Sequence, residues 1–314
     1  MSDDTLSPAP LCLTDAGLET WLIFQRGRPL RDFAAFECLL DDDGRTLLEE
    51  YYRGFLDLAA EQDLDLVLET PTWRANGEWG TRLGWSEREL ADINREAVAF
   101  LDTLRKDCDR PGRVVVSGNI GPRGDGYVAG EAMSVSEAQA FHAPQVDAFA
   151  RSRADRVAAV TMTSMAEAAG VVRAAGEADI PCVISFTLET DGRLPSGERL
   201  GEVIEAMDAN ARTRPFHYMV NCAHPDHFTH VLDGAWTRRI HGVRANASRM
   251  SHAELDACDA LDDGDPDELG RLYGALRARL PALAIVGGCC GTDHRHVRAM
   301  GEAVKGAATG ETAS

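Results

Sequence analysis

The chain has 314 residues, of which 44% are hydrophobic and 26% are charged. These fractions are ordinary for a globular protein with a large buried core, and the length fits a single α/β barrel of roughly 250 residues with additional loops. The formal net charge of −19 argues against nucleic acid and anionic membrane surfaces as partners, because both carry negative charge themselves.

Short apolar runs alternate with longer helical patterns along the chain, which is typical of βα units around a parallel sheet. Eight such units, without a linker or an internal repeat, predict a closed (β/α)8 TIM barrel whose active site lies where the strands end. An open doubly wound sheet is the alternative. The predicted strands are 11–14, 64–68, 113–117, 156–160, 182–186, 216–220, 240–244 and 284–286, and the clearest helical patterns are 47–60, 86–106, 166–177, 198–212 and 268–279.

The chain ends and the cysteines indicate in which cellular compartment the protein is expected. Residues 1–10 are acidic and polar, unlike a secretory signal, and no apolar run approaches the ~20 residues that span a bilayer. Several of the eight cysteines lie inside apolar runs, where a disulfide partner is not expected, so a reducing cytoplasm is the simplest compartment. We expect flexible tails at 1–10 and 306–314 around one domain at 11–305.

The most informative segment is Ala284 to Asp293. A short apolar run is followed by two adjacent cysteines, Cys289 and Cys290, and glycines lie on both sides of this pair. Neighbouring side chains of a regular strand point to opposite faces, so one metal ion does not ordinarily contact both. Glycines at 287, 288 and 291 allow positive φ and a turn sharp enough for both sulfurs to face one point. A catalytic zinc usually takes three protein ligands, and the best third donor is Cys222, which also follows an apolar run.

These segments carry a resemblance to a known family. Over nearly its whole length the chain resembles the homocysteine S-methyltransferases, whose members bind zinc through one cysteine after the sixth barrel strand and two after the eighth. The resemblance implies that Cys222, Cys289 and Cys290 hold Zn²⁺ and that the acceptor is homocysteine or a similar thiol. The motifs are Asp15-Ala16-Gly17, Gly118-Asn119-Ile120-Gly121-Pro122, Val220-Asn221-Cys222 and Gly287-Gly288-Cys289-Cys290-Gly291, of which the last two are highly specific.

Other interpretations of the three cysteines are a structural zinc, a strained disulfide between Cys289 and Cys290, or buried core thiols. A structural zinc usually takes four ligands in closely spaced pairs, which this chain lacks, and core thiols do not need bracketing glycines. A different class of function is a non-catalytic zinc-holding or thiol-switch protein, in which the adjacent cysteine pair oxidises to regulate a partner.

Methyl transfer follows from the chemistry of a zinc ion held by three thiolates. A fourth thiol that binds such a centre loses its proton and keeps much of its nucleophilicity. The donor then needs a good leaving group, as in the onium compounds S-methylmethionine, S-adenosylmethionine and betaine. The partners expected are therefore a small thiol and a methyl donor, and the sequence leaves the donor, the exact thiol and the oligomeric state open.

The resemblance also implies which residues hold the acceptor. Asp15 and Glu189 correspond to carboxylates that bind the homocysteine ammonium, whereas the plainer alternatives are a turn cap and a solvated loop residue. Backbone N–H groups of Gly17 and Leu18 are placed to receive the acceptor carboxylate.

Two further residues follow strands that end at the same rim. The ring of Trp73 offers a face that binds a cationic donor by cation–π attraction, although simple packing is the commoner role. Asn221 is expected to orient the Cys222 segment.

The chain also departs from the family pattern. Many relatives place Glu-Thr after the fourth strand, where this chain has Thr161-Met162-Thr163, and after the second strand it has Thr70-Pro71-Thr72. The loop at 247–266, with Arg249 and His252, does not map onto a donor site. These departures leave the donor uncertain and do not affect the thiol site.

Overall fold

The structure is a computed structural model that describes residues 10–108, 112–128, 130–258 and 260–309. Each strand lies parallel to the next, and β8 pairs with β1, so the sheet closes into a barrel. This confirms the predicted (β/α)8 barrel and rules out the open sheet. The strands are β1 (Cys12–Thr14), β2 (Asp65–Glu69), β3 (Val114–Ile120), β4 (Arg156–Met162), β5 (Cys182–Thr187), β6 (Tyr218–Asn221), β7 (Ile240–Ala245) and β8 (Ile285–Gly288).

Helices surround the barrel and extend over its rim. The helix predicted at 198–212 is shorter than expected, because it ends at Asp208 and a 3₁₀ turn follows at Ala211–Thr213. The helices are α1 (Leu18–Thr20), α2 (Asp42–Glu61), α3 (Gly77–Leu83), α4 (Glu87–Asp107), α5 (Val135–Ala150), α6 (Met165–Glu177), α7 (Leu200–Asp208), α8 (Pro225–Phe228), α9 (His252–Asp256), α10 (Pro266–Arg279) and α11 (His294–Thr309).

The predicted tails are only partly described. Helix α11 continues through Thr309, so the first four residues of the tail predicted at 306–314 are helical. Residues 1–9 and 310–314 lie outside the described residues. Within the described ranges, no helix combines the length and the apolar character that crossing a membrane requires.

Helices α4 and α5 each begin at a pair of capping residues. The Ser86 hydroxyl accepts a hydrogen bond from the Glu89 N–H, and the Ser86 N–H donates to the Glu89 carboxylate at 2.9 Å. Ser134 and Glu137 form the same reciprocal pair at the start of α5. Each pair satisfies two N–H groups that a helix start otherwise leaves without partners.

The barrel interior changes from apolar to polar towards the ends of the strands. Its middle layer is built from Cys12, Val67, Val115, Ala158, Val183, Met219 and Ile285. Side chains that point inward recur every second residue. On five of the strands, the residue two positions further along therefore also points into the barrel. These five residues are polar or charged and buried: Thr14, Glu69, Ser117, Ser185 and Asn221. This polar layer forms the floor on which the site is built.

Three buried tyrosines on the surrounding helices form hydrogen bonds with the backbone at the ends of the strands. The Tyr51 hydroxyl accepts a hydrogen bond from the Ala16 N–H at 2.9 Å, and the Tyr52 hydroxyl donates to the Glu69 carbonyl at 2.8 Å. The Tyr273 hydroxyl accepts from the N–H of residue 245 at 2.8 Å and donates to the carbonyl of residue 287 at 2.7 Å, so it ties β7 to β8.

Replacing Tyr273 with phenylalanine should lower the free energy of unfolding by about 1–3 kcal/mol, because it leaves a buried N–H donor without its partner. Urea unfolding followed by circular dichroism measures the loss. Tyr52→Phe is the matched control, since it removes one buried hydroxyl that serves a single carbonyl. A loss for Tyr52→Phe that equals or exceeds the loss for Tyr273→Phe would contradict this account.

Candidate functional site

The sulfurs of Cys222, Cys289 and Cys290 meet at the rim of the barrel. Cys222 follows β6, the other two follow β8, and all three Sγ atoms lie within 4.8 Å of one another. The Sγ atoms of Cys222 and Cys290 are 3.9 Å apart. A tetrahedral zinc with Zn–S bonds of about 2.3 Å separates its sulfurs by about 3.8 Å. The distance between Cys222 and Cys290 therefore fits two ligands of one zinc ion, and Cys289 lies close enough to offer a third sulfur once it is reduced.

Two of these sulfurs are joined in the structure. Cys222 and Cys289 form a disulfide, and Cys290 is a free, half-buried thiol. The pairing of Cys289 with Cys290, weighed as an alternative from the sequence, is therefore not the one found. Metal ligation requires thiolates, so this disulfide must be reduced before all three cysteines can bind one ion. Burial raises the pKa of the Cys290 thiol to about 11.

The backbone turns sharply at both cysteine segments. Cys222 itself has a φ of +51°, a conformation that is uncommon for a residue with a side chain. Its carbonyl accepts hydrogen bonds from His252 Nε2 at 2.6 Å and Asn246 Nδ2 at 3.1 Å, and its N–H donates to the Arg244 carbonyl at 3.1 Å. Contacts from β7 and from the loop that follows it thus hold the strained turn in place.

The glycines around Cys289 and Cys290 serve two different purposes. Gly291 has a φ of +79° and makes the turn after the pair, as predicted. Gly287 and Gly288 do not have positive φ, which corrects the expectation that all three turn the chain. A Cβ at Gly287 would lie 2.6 Å from the Thr14 hydroxyl, and one at Gly288 would overlap the Thr292 side chain. These two positions need glycine because neighbouring segments pack against the backbone.

Asn221 holds the end of β4 against the cysteines. Its Oδ1 accepts hydrogen bonds from the Thr161 N–H at 2.9 Å and the Ser185 hydroxyl at 2.6 Å, and its Nδ2 donates to the Thr161 hydroxyl at 2.8 Å. Thr161 has a φ of +60°, which is strained for a β-branched residue. Asn221 is therefore a hydrogen-bond partner of one backbone N–H and two hydroxyls, and its role in orienting the Cys222 segment stays a prediction.

Tyr127 was not anticipated from the sequence. Its hydroxyl oxygen lies 3.4 Å from the Sγ of Cys290 and 3.5 Å from that of Cys222, and its ring is 4.4 Å from the His252 ring. Burial raises the pKa of the phenol well above its usual range, so the phenol stays protonated beside the sulfurs. The sequence held one signal, because Tyr127 is the only one of five tyrosines outside the predicted strands and helices.

Asp15 lies under the site and is paired with a cation. Its Oδ1 is 2.5 Å from Nη2 of Arg244, a buried residue of β7 that was also missed. Arg244 further donates to the carbonyls of Gly288 at 3.1 Å and Ala16 at 3.3 Å. Burial raises the pKa of the Asp15 carboxyl to about 7, although Arg244 opposes the rise. The signal for Arg244 was a charged residue inside the apolar run at 240–244.

Glu189 lies in the loop after β5 and is paired with His252. The Glu189 carboxylate is 3.3 Å from Nδ1 of His252, whose Nε2 is hydrogen-bonded to the Cys222 carbonyl. Glu189 therefore supports the loop at 247–266, which the sequence did not map. Its contact with an acceptor ammonium stays a prediction.

Two cavities share Tyr127 and Cys290 in their walls. The outer cavity has a volume of about 290 Å³, and the exposed side chains of Phe24 and Phe33 lie in its wall. The inner cavity has a volume of about 60 Å³ and reaches all three cysteines. Further residues around the inner cavity are Gly17, Glu19, Asn221 and Arg244.

The carboxylate that lines the inner cavity is Glu19, not Asp15 or Glu189. Burial raises the pKa of the Glu19 carboxyl. Gly17 also lines this cavity, but the Leu18 N–H already donates to the Ala16 carbonyl at 3.1 Å. Of the two backbone N–H groups predicted to receive the acceptor carboxylate, the one at Leu18 therefore has another partner.

Trp73 lines both cavities, but one face of its ring is occupied. The Cζ atom of Arg74 lies 3.9 Å from the centroid of the Trp73 ring. The sequence suggested that a cationic donor packs on the Trp73 ring. On this face of the ring, Arg74 occupies the place of such a cation. The ring remains part of the cavity wall.

The family model for homocysteine S-methyltransferase matches residues 12–304. Solved structures of the homocysteine methyltransferase MmuM from Escherichia coli are similar to this chain. The oxidized form has a TM-score of 0.74 at 20% identity over 92% of this chain and 94% of that one. The metallated form has a TM-score of 0.71 at 20% identity, over 93% and 96%. These structures share the fold, and no curated protein matches the chain.

Proposed function

Because the chain belongs to the homocysteine S-methyltransferase family, we propose that it transfers a methyl group from an onium-type donor to the thiol of homocysteine and so forms methionine. The observation that carries the proposal is the convergence of three cysteine sulfurs beside two cavities that share a wall. One cavity then serves the acceptor and the other serves the donor. An enzyme with another small thiol as acceptor is the neighbouring alternative.

The reduced side chains of Cys222, Cys289 and Cys290 are proposed to hold Zn²⁺. When bound, the zinc stabilises the thiolate form of the acceptor, because a nearby divalent cation lowers the pKa of a thiol. The Tyr127 hydroxyl is positioned to donate a hydrogen bond to the Sγ atom of Cys222 or of Cys290. Thiolate ligands persist in a reducing compartment, so we place the enzyme in the cytoplasm.

The inner cavity is proposed to bind the amino-acid end of the acceptor. Glu19 supplies a carboxylate for the ammonium group, and Arg244, held in place by Asp15, supplies a cation for the carboxylate group. At Gly17 a Cβ would lie 2.4 Å from the Cys289 carbonyl oxygen, so this part of the backbone packs directly against the backbone of the Cys289 segment. The cavity's small volume favours a compact acceptor.

The transfer itself is a single displacement. The acceptor sulfur, already without its proton, attacks the methyl carbon from the side opposite the leaving group. The new S–C bond forms as the bond from methyl to the onium atom breaks, and the leaving group departs neutral with that electron pair. Two opposite charges disappear in this step, so surroundings of low polarity favour it.

Reduced protein restored with zinc should form labelled methionine when it is incubated with homocysteine and a donor labelled in its methyl group. S-Methylmethionine, S-adenosylmethionine and glycine betaine are tested separately, and mass spectrometry detects the product. Removing the metal with a chelator should abolish the activity, and added zinc should restore it. Protein that holds about one zinc per chain but forms no labelled methionine from any of the three donors would refute the proposal.

A further inference from the structure

The loop after β2 places a buried cation in the wall of the outer cavity. The side chain of Arg74 is only 5% exposed. The Cζ atom of its guanidinium lies 3.9 Å from the ring centroid of Trp73 and 3.6 Å from that of Trp79. The two indole rings hold the guanidinium in place. This positioning lowers the entropy cost of binding a ligand there.

The guanidinium of Arg74 has few partners within the chain. Nη1 donates to the Gly124 carbonyl at 3.0 Å, whereas Nε is buried without a hydrogen-bond partner. Within the described ranges no carboxylate forms an ion pair with it, in contrast to Arg244, which is paired with Asp15. Burial lowers the pKa of Arg74 to about 10, which still leaves the group charged at neutral pH. Asp125, which lines the same cavity, attracts this charge without forming an ion pair with it. A buried cation without an ion pair is costly, so it points to a further anionic partner.

Arg74 belongs to the outer cavity and not to the inner one. It shares the outer cavity with Cys290, which also reaches the inner cavity. Carboxylates of Asp256 and Asp262 lie in the same outer wall. The outer cavity therefore presents both a fixed cation and negative side chains to one ligand, beside the thiol of Cys290.

We infer that Arg74 binds the carboxylate of the methyl donor in the outer cavity and so determines how strongly the protein prefers a donor that carries this group. The inference rests on the proposed function. The planar guanidinium matches the two oxygens of a carboxylate, and the acidic side chains suit the positive end of the same molecule. A donor without an anionic group leaves the Arg74 cation unpaired and binds less tightly.

Equilibrium binding to the zinc-loaded protein, without acceptor, tests this assignment by isothermal titration calorimetry. The probes are S-methylmethionine, S-adenosylmethionine and glycine betaine, each compared with its methyl ester, which keeps the onium centre and removes the negative charge. At least one zwitterion should bind about 10- to 100-fold more tightly than its ester. In Arg74→Met this preference should disappear.

Two further variants keep the test sharp. Arg82→Met is the matched control, because the Arg82 guanidinium also lies over the Trp79 ring, at 4.4 Å, but is exposed and outside the outer cavity. It should keep the preference for the carboxylate. Arg74→Lys retains the charge without the planar fork and should show an intermediate preference. Thermal unfolding checks that each variant is folded. If Arg74→Met does not fold, the comparison is made between Arg74→Lys and the unchanged protein.

The outcomes separate this inference from the proposed function. Equal affinity for zwitterion and ester, no binding of any zwitterion, or an unchanged preference after substitution of Arg74 would overturn the inference. If methionine still forms from a donor and its ester at equal rates, the proposed function stands without the inference. If carboxylate binding depends on Arg74 but no methyl group reaches homocysteine, the inference stands and the proposed function fails.

Discussion

Replacing Cys290 with alanine is expected to abolish methyl transfer, with a loss in kcat/KM on the order of a thousandfold or more. The variant retains only two of the three sulfurs that lie within 4.8 Å of one another, so bound zinc should fall together with activity. Cys290 is the informative choice because it lies outside the disulfide between Cys222 and Cys289. Metal analysis of the reduced protein and initial-rate measurements with homocysteine give the two readouts.

The matched control for this change is Cys108→Ala. Cys108 is a free, half-buried cysteine at the end of α4, outside both cavities of the site. It should keep zinc and turnover within about twofold of the unchanged protein, as distant substitutions usually do. If Cys290→Ala retained full turnover without bound metal, the three cysteines would have no part in the reaction and the proposed mechanism would fall.

Replacing Arg244 with methionine should lower the free energy of unfolding by about 3–5 kcal/mol, the usual cost of breaking a buried ion pair by removing one partner. Its guanidinium lies 2.5 Å from Asp15, and both side chains are less than a tenth exposed. The change leaves the Asp15 carboxyl buried without its cation. Urea unfolding at constant pH measures the loss, and acceptor affinity should fall as well.

Arg249→Met is the control for burial. Arg249 pairs with Asp226 at 2.7 Å and with Glu268 at 2.8 Å, but its side chain is 51% exposed, so the expected loss is below about 1 kcal/mol. The double variant Asp15→Asn, Arg244→Met should recover part of the stability, because no unpaired charge then remains buried. An Arg244→Met loss no larger than that of Arg249→Met would show that the buried pair contributes little.

The barrel could be predicted because its signals are local. Each strand is a short apolar run that begins and ends within a few residues of the predicted bounds, as at 182–186 against Cys182–Thr187. Capping residues such as Ser86 and Ser134 mark helix starts through contacts only three residues away. The strand-end rule then places Cys222, Cys289 and Cys290 on one rim without any knowledge of side-chain positions.

The partners of the charged groups could not be predicted in this way. Arg244 meets Asp15 across 229 positions of the chain, and Tyr127 reaches Cys290 across 163. No pattern of local spacing encodes such contacts, because the closure of the barrel and the packing of its loops create them. Arg74 covers one side of the Trp73 ring although the two residues are neighbours in the chain, and its guanidinium also packs on Trp79, a contact that depends on how the loop after β2 folds.

The sequence by itself therefore determined the (β/α)8 architecture, the family and the three cysteines, since strand periodicity, capping and the glycine-bracketed cysteine pair are properties of short segments. Only the tertiary structure decided which carboxylate lines the inner cavity, which arginine is buried without an ion pair, and which residues support Cys222 in its strained turn. The physical reason is that burial and pairing of charges depend on which loops meet at the rim. That meeting is a property of the closed barrel and not of any single segment.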